Sequence, residues 1–229
     1  MSQNLLKRIS TSVILLSLLF FINFSHQYIF ILSILIVGLI ICVEANNIFL
    51  KLTVNQNLKK KLTIKKFNFR FLLLNLVTFC YIFFIFCNFS YEIHRLEGPT
   101  FFLYVVSICI FTDIGEYVFG KIIGGKKLSK ISPNKTISGT IGSFIFSVMP
   151  LFFFLSFSYL DLELNLNFIL FNLLISFISQ IGDLFISFFK RKAGIKDTGK
   201  ILPGHGGILD RVDGIIFAVP FSYILLKII

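Results

Sequence analysis

The sequence predicts an all-α, polytopic helical membrane protein with about seven transmembrane helices, at about 20 residues per span, and a cytoplasmic N-terminus. Three observations carry that reading. Hydrophobic residues make up 56% of the 229, and the mean hydropathy is +0.88, beyond the range of a soluble domain. The apolar residues fall in long continuous runs, where a transmembrane barrel would alternate apolar and polar positions. The cations are distributed asymmetrically: of the 22 Lys and Arg residues, only Arg95 and Lys227 lie outside the loops that such a topology puts on the N-terminal side. That bias marks those loops as cytoplasmic.

The spans are expected near 9–25, 28–48, 71–89, 100–120, 138–158, 166–188 and 213–229. The first is short and follows Lys7-Arg8, as a secretory signal would, but no small-residue cleavage site follows it. Ile22 to Gln27 leads straight into the second apolar stretch, so the first is read as a retained helix. Lys51 to Arg70 form a basic loop, in which Lys59, Lys60 and Lys61 read as solvated residues touching headgroups. The fourth span carries Asp113 and Glu116, three residues apart on one face. The sixth carries Asp183, with Lys190 seven residues on, and the seventh follows a glycine-rich reversal. Glu92, Glu97, Asp161 and Glu163 fall on the opposite side from the basic loops. No fixed-period repeat and no long linker interrupts the chain, so residues 1–229 read as a single integral membrane domain. Within it, 1–98 reads as scaffold and lipid contact, and 99–229 holds nearly all the candidate chemistry.

The net charge of +11 is accounted for by this topology and by attraction to anionic lipid, which leaves no case for nucleic-acid binding. Cys42, Cys80, Cys87 and Cys109 all lie in apolar runs without CxxC spacing, implying neither zinc nor a disulfide framework.

Three stretches carry chemistry. The run 111–139 contains Gly120-Lys-Ile-Ile-Gly-Gly125-Lys126-Lys127, close to a P-loop but with Lys127 where Ser or Thr is needed and a membrane helix where a strand should precede. That nucleotide fold is rejected. What remains is Gly-rich backbone flanked by Lys, then Ser132-Pro133-Asn134-Lys135-Thr136 leading into a helix, a setting that suits a phosphate but alone also reads as a solvated basic loop. The second stretch is Asp183, read either as functional or as a carboxylate satisfied by Lys190 or a partner helix. The third, 196–214, reads K-D-T-G-K-I-L-P-G-H-G-G-I-L-D-R-V-D-G. Pro203 with Gly204, Gly206 and Gly207 predicts a tight reversal, after which Asp210 and Asp213 are expected on one face of the next helix. At about 1.5 Å per residue, Asp113, Asp183, Asp210 and Asp213 are all expected within roughly 10 Å of the cytoplasmic interface. Carboxylates are costly near a bilayer and mark binding sites. Oxygen ligands ringed by cations suit Mg²⁺ and nucleotide phosphates. The absence of a dense His or Cys cluster argues against zinc or copper, and no nucleophile elbow is present.

These residues closely resemble the signature of the phosphatidate cytidylyltransferases (CDP-diacylglycerol synthases). The shared positions are Asp113, Tyr117 and Gly120; Ser132, Pro133, Lys135 and Thr136; Gly182 and Asp183; Lys190 and Arg191; Lys196 and Asp197; and Pro203 through Asp213. The chain departs from the pattern at Ile114, Ser138, Ile186 and Gly214. The resemblance implies transfer of the cytidylyl group of CTP to phosphatidate, giving CDP-diacylglycerol and pyrophosphate. It implies catalytic roles for Asp183, Lys196, Asp197, Asp210 and Asp213. Substrate or phosphate binding would fall to Ser132, Lys135, Thr136, Lys190, Arg191, Gly204, His205, Gly206, Gly207 and Arg211. Asp113, Asp183, Asp210 and Asp213 would hold Mg²⁺, as two divalent or mixed metal ions. The expected partners are CTP, phosphatidate and membrane lipids, with a homodimer left open. The expected location is a bacterial inner (cell) membrane, with the site facing the cytoplasm. The rival readings are a CTP-dependent polyprenol-type lipid kinase, a CDP-archaeol synthase and an ion-coupled transporter. The last should carry its carboxylates near the midplane.

Overall fold

The computed structural model describes residues 3–59, 69–129, 132, 135–156, 165–204 and 206–228. Among the described residues the regular structure is helical, with no strand and two isolated backbone bridges. The helices are α1 (Gln3–Phe24), α2 (Gln27–Lys59), α3 (Phe69–Cys80), α4 (Asn88–Leu96), α5 (Gly98–Ile122), α6 (Ile137–Ser147), α7 (Met149–Ser156), α8 (Leu166–Lys192), α9 (Leu209–Val212) and α10 (Ile215–Leu226). A π-helical turn, Tyr81–Cys87, joins α3 to α4.

The helical membrane fold is as expected. Among the described residues, five stretches are long and apolar enough to span a bilayer: Gln27–Val54, Phe69–Leu96, Gly98–Ile122, Ile137–Ser156 and Leu166–Lys192. The outermost predicted spans are shorter, with 10–24 apolar and α10 only 12 residues long around Pro220. The second helix runs beyond its predicted end into the basic segment, because no Gly or Pro follows Gly38 in α2 to stop it. The last departs more: α9 ends at Val212 and α10 begins at Ile215. Asp213 therefore occupies the turn between two helices, instead of sharing a face of one helix with Asp210. A side chain at Gly214 would strike the Ser179 hydroxyl, so close packing against α8 interrupts the helix there.

The chain forms two compact units. The first comprises Met1–Asn88 and Phe189–Val212. In it Phe30, Ile41 and Ile48 are buried, and Phe49 meets Phe189 edge-on at 5.8 Å. The second comprises Phe89–Phe188 and Asp213–Ile229. Its centre is Tyr104, fully buried, ringed by Phe101, Phe154 and Phe171, with its hydroxyl donating to Asn172 Oδ1 at 2.6 Å. A polar pair of this kind ties helices together where lipid offers no hydrophobic drive.

The α5–α6 hairpin positions much of the second unit's polar cluster. Gly98 (φ 87) and Pro99 open α5, and Gly124 and Gly125 (φ 65 and 108) end the turn after it. Thr136 caps α6 by accepting from the Gly139 N–H at 3.1 Å. The helices approach backbone to backbone: a Cβ on Gly115 would lie 2.5 Å from the Gly142 carbonyl, and one on Gly139 would lie 2.8 Å from that of Glu116. Small residues are what permit such contact between membrane helices.

Candidate functional site

Among the described residues, each unit holds a polar cluster. In the second unit it is built on Lys135, from the segment between α5 and α6. Leu128 N–H donates to the Lys135 carbonyl at 2.8 Å and Ile137 N–H to the Lys126 carbonyl at 3.0 Å, lashing the two limbs of the turn together. The Ser138 hydroxyl donates to the Gly124 carbonyl. So anchored, the Lys135 ammonium reaches Glu116 Oε2 at 2.7 Å and Asp183 Oδ2 at 2.5 Å. Burial pulls the Lys135 pKa down, but Asp183 and then Glu116 outweigh it, and the net result is a rise above the ordinary 10.5. Ser187 donates to Asp183 Oδ1 at 3.4 Å.

Asp213 lies close to the Asp183 helix. Gly182 has no side chain to keep the Asp213 carbonyl away; a Cβ there would lie 2.8 Å from it. The Asp213 carboxylate is 8% exposed and accepts from the Gly214 N–H at 3.1 Å. Asp113, on α5, is exposed. Thus Asp113, Asp183 and Asp213 all belong to this unit, with Glu116 joined to Asp183 through Lys135.

The first unit holds the glycine-rich reversal. Leu202 and Gly206 exchange backbone hydrogen bonds at 2.9 and 3.1 Å around it, and Gly204 and Gly206 take φ of 78° and 91°. The reversal deduced from Pro203 and its glycines is therefore present. Asp210 holds its base: Oδ2 accepts from Thr198 N–H (2.7 Å) and Gly207 N–H (2.9 Å) and lies 3.0 Å from the Thr198 hydroxyl oxygen, while Oδ1 accepts from Lys190 Nζ (2.8 Å). Burial raises the Asp210 pKa, but these donors, Lys190 foremost, bring it below the ordinary 3.8. Arg191, Lys196, Asp197, Lys200 and Arg211 are exposed.

Lys190 thus meets Asp210, where the sequence suggested an intrahelical pair with Asp183, and Asp183 meets Lys135. Thr136 is occupied as a helix cap, and Ser132 lends its carbonyl to the Lys135 N–H at 3.2 Å. His205, Pro133, Asn134, Lys60, Lys61, Asp161 and Glu163 lie outside the described residues, as does the side chain of Lys59. One residue passed over in the sequence is central to the first cluster: Glu44, in α2, accepts from the Thr198 hydroxyl (2.7 Å) and from the amides of Ile208 (3.1 Å) and Leu209 (2.9 Å). The usable signal was a carboxylate near the end of an otherwise apolar span.

Among the described residues, no three His, Cys, Asp or Glu side chains are grouped so as to hold a metal ion. The donor chemistry nonetheless suits one. Two carboxylates from separate helices already enclose a single positive charge, that of Lys135, and all the candidate ligands are hard oxygens.

A model of the cytidylyltransferase family matches residues 46–229. Among curated proteins, the chain is similar to the phosphatidate cytidylyltransferase of Staphylococcus haemolyticus (strain JCSC1435), 46% identical over 134 residues, covering 58% of this chain and 51% of that protein. It is 47% identical over 140 residues to the phosphatidate cytidylyltransferase of Staphylococcus aureus (strain COL), covering 60% and 53%. The corresponding protein of Staphylococcus epidermidis (strain ATCC 12228 / FDA PCI 1200) is 44% identical over 135 residues, 58% and 51%. The chain spans about half the length of the curated relatives it matches.

Proposed function

The chain belongs to the cytidylyltransferase family, and we propose that it transfers the cytidylyl group of CTP to phosphatidate, forming CDP-diacylglycerol and pyrophosphate. An oxygen of the phosphatidate phosphate attacks the α-phosphorus of CTP. The bond from that phosphorus to the bridging oxygen breaks, and pyrophosphate leaves. The lipid phosphate is itself the nucleophile, so no nucleophilic side chain is required.

The observation that carries this reading is Lys135, in the segment between α5 and α6, held between Glu116 and Asp183, with Lys126 and Lys127 exposed in the same segment. Such a cluster can exchange its internal ion pair for contact with phosphate. Lys196, Lys200, Arg191 and Arg211, exposed on the other unit, are proposed to bind and orient anionic oxygens. Asp183, with Asp113 and Asp213 of the same unit, would hold Mg²⁺, which when bound supplies charge neutralisation at the entering and leaving oxygens. Asp210, engaged through both oxygens by protein donors, is proposed to hold the reversal that presents the cations. The basic loops are proposed to face the cytoplasm, where CTP is found.

The test uses purified protein in mixed micelles with phosphatidate and CTP labelled at either the α- or the γ-phosphate. Label from α-CTP alone should enter the lipid, with one pyrophosphate released per lipid formed. Lipid labelled from γ-CTP would identify a kinase and overturn the proposal.

A further inference from the structure

Glu44 is 2% exposed and sits in α2, two residues before the part of the chain that the family match covers. A buried carboxylate in an apolar helix is costly unless its surroundings supply donors. Here they do, and they come from both limbs of the reversal. Thr198 precedes it and Ile208 and Leu209 follow it, with donor distances of 2.7, 3.1 and 2.9 Å. Two glycines make the room. A Cβ on Gly199 would lie 2.6 Å from Glu44 Oε1, and one on Gly207 would strike both Glu44 oxygens and the Thr198 hydroxyl. Asp210 grips the same Thr198 from the other side.

The Thr198 hydroxyl and the Ile208 and Leu209 amides are all donors to Glu44, which selects a carboxylate over its amide. Glutamine would turn an NH₂ toward an N–H or O–H. We infer that Glu44 is a positioning residue: it sets the separation of the two limbs that carry Lys196, Asp197 and Lys200 on one side and Arg211 on the other. Its effect on turnover rests on the proposed function; its effect on the loop does not.

The experiment compares wild type, Glu44→Gln, Glu44→Asp and Thr198→Val as full chains in lipid nanodiscs, with Glu97→Gln as an exposed control. Two readouts are taken: hydrogen exchange, peptide by peptide, and kcat and KM for CTP. Glu44→Gln should raise exchange of peptides within 196–209 by about tenfold or more, the scale of hydrogen bonds to a charged acceptor, and leave α5 peptides unchanged. KM for CTP should rise by a similar factor with a smaller change in kcat. Glu44→Asp, which keeps both acceptor oxygens, should recover part of each effect. Should Glu44→Gln not fold, Thr198→Val, which removes one donor only, must still loosen the same peptides. Faster exchange spread evenly over α2, α5 and the loop would show a general packing role and overturn the inference, as would unchanged exchange at 196–209. If the wild type makes no CDP-diacylglycerol, the proposed function fails while the exchange arm still decides the role of Glu44.

Discussion

The Lys135 ammonium lies 2.5 Å from the Asp183 carboxylate, joining the segment before α6 to the middle of α8, and its second partner, Glu116, comes from α5. One cation is therefore shared by two carboxylates.

Removing that cation should be costly in two ways. Lys135→Met leaves Glu116 and Asp183 without their shared charge, and stability should fall by about 1–3 kcal/mol. This is below the cost of breaking a fully buried pair because Asp183 keeps some exposure. Cytidylyl transfer should drop at least about 100-fold, the scale of a lost charged contact in a transition state. Adding Asp183→Asn to Lys135→Met should cost less than the sum of the single changes. Thermal melts of the four proteins provide the check, and additive losses would contradict the pairing.

The same lysine gives a pH expectation. Its pKa is raised on folding, so its contribution is complete below the ordinary 10.5 and fades only as pH rises through the higher folded value. The melting difference between wild type and Lys135→Met should thus stay constant from about pH 7 to about 10.

Asp210 should behave in the opposite sense. Its pKa is lowered on folding, so its contribution is present above the ordinary 3.8 and is lost as pH falls through the lower folded value. Asp210→Asn should be less stable than wild type by about 1–3 kcal/mol at pH 7. The two proteins should converge as pH falls below 3.8. Melts across an acid series would reveal a gap that persists, if the assignment is wrong.

Much of this was legible beforehand, for physical reasons. Asp183 and Asp210 stood out because carboxylates are costly beside apolar spans, and the reversal because Gly204 and Gly206 need positive φ. Glu44 was not, since it belongs to no motif and its Thr198 partner lies 154 residues away. Nor was the exchange of partners that sends Lys190 to Asp210 and Lys135 to Asp183, because helical spacing reports only neighbours on one helix. The break at Asp213 depends on the tight fit of Gly214 against Ser179, a tertiary contact that local pattern does not encode.

Gly207→Ala should disable the reversal without changing any ionisable residue. The added methyl meets the Thr198 hydroxyl and the Glu44 carboxylate, neither of which has room to retreat. Activity should fall by about tenfold or more, with stability reduced by about 1–3 kcal/mol, the usual cost of overpacking. Gly207→Ala that matches wild type in both assays would show that the loop is not packed as described.

Membrane orientation can be checked chemically. In a background lacking Cys42, Cys80, Cys87 and Cys109, the exposed positions Lys126 and Lys200 should, as cysteines, react with an impermeant thiol reagent only in inverted vesicles. Cysteine at the exposed Glu97 should react in right-side-out vesicles. Reaction of Lys126→Cys and Lys200→Cys from opposite sides would contradict the proposed cytoplasmic placement of the basic loops.

The close glycine packing of α5 on α6 has a bearing on how the protein is made. The glycine contacts that join its two limbs lie within Gly98–Ser147, so they can form as soon as the second limb enters the bilayer. Chains assemble in order of synthesis, and sequence-local contacts close first. Lys135 and Glu116, 19 residues apart, should therefore meet before α8 has left the ribosome. When Asp183 arrives, a cation is already waiting for it, and its carboxylate need not enter the membrane alone. A nascent chain stalled with α8 made but still inside the ribosome should already cross-link between Gly120→Cys and Thr136→Cys, positions that adjoin across the hairpin. Cross-linking seen only once α8 has emerged would mean that the later helix builds the hairpin.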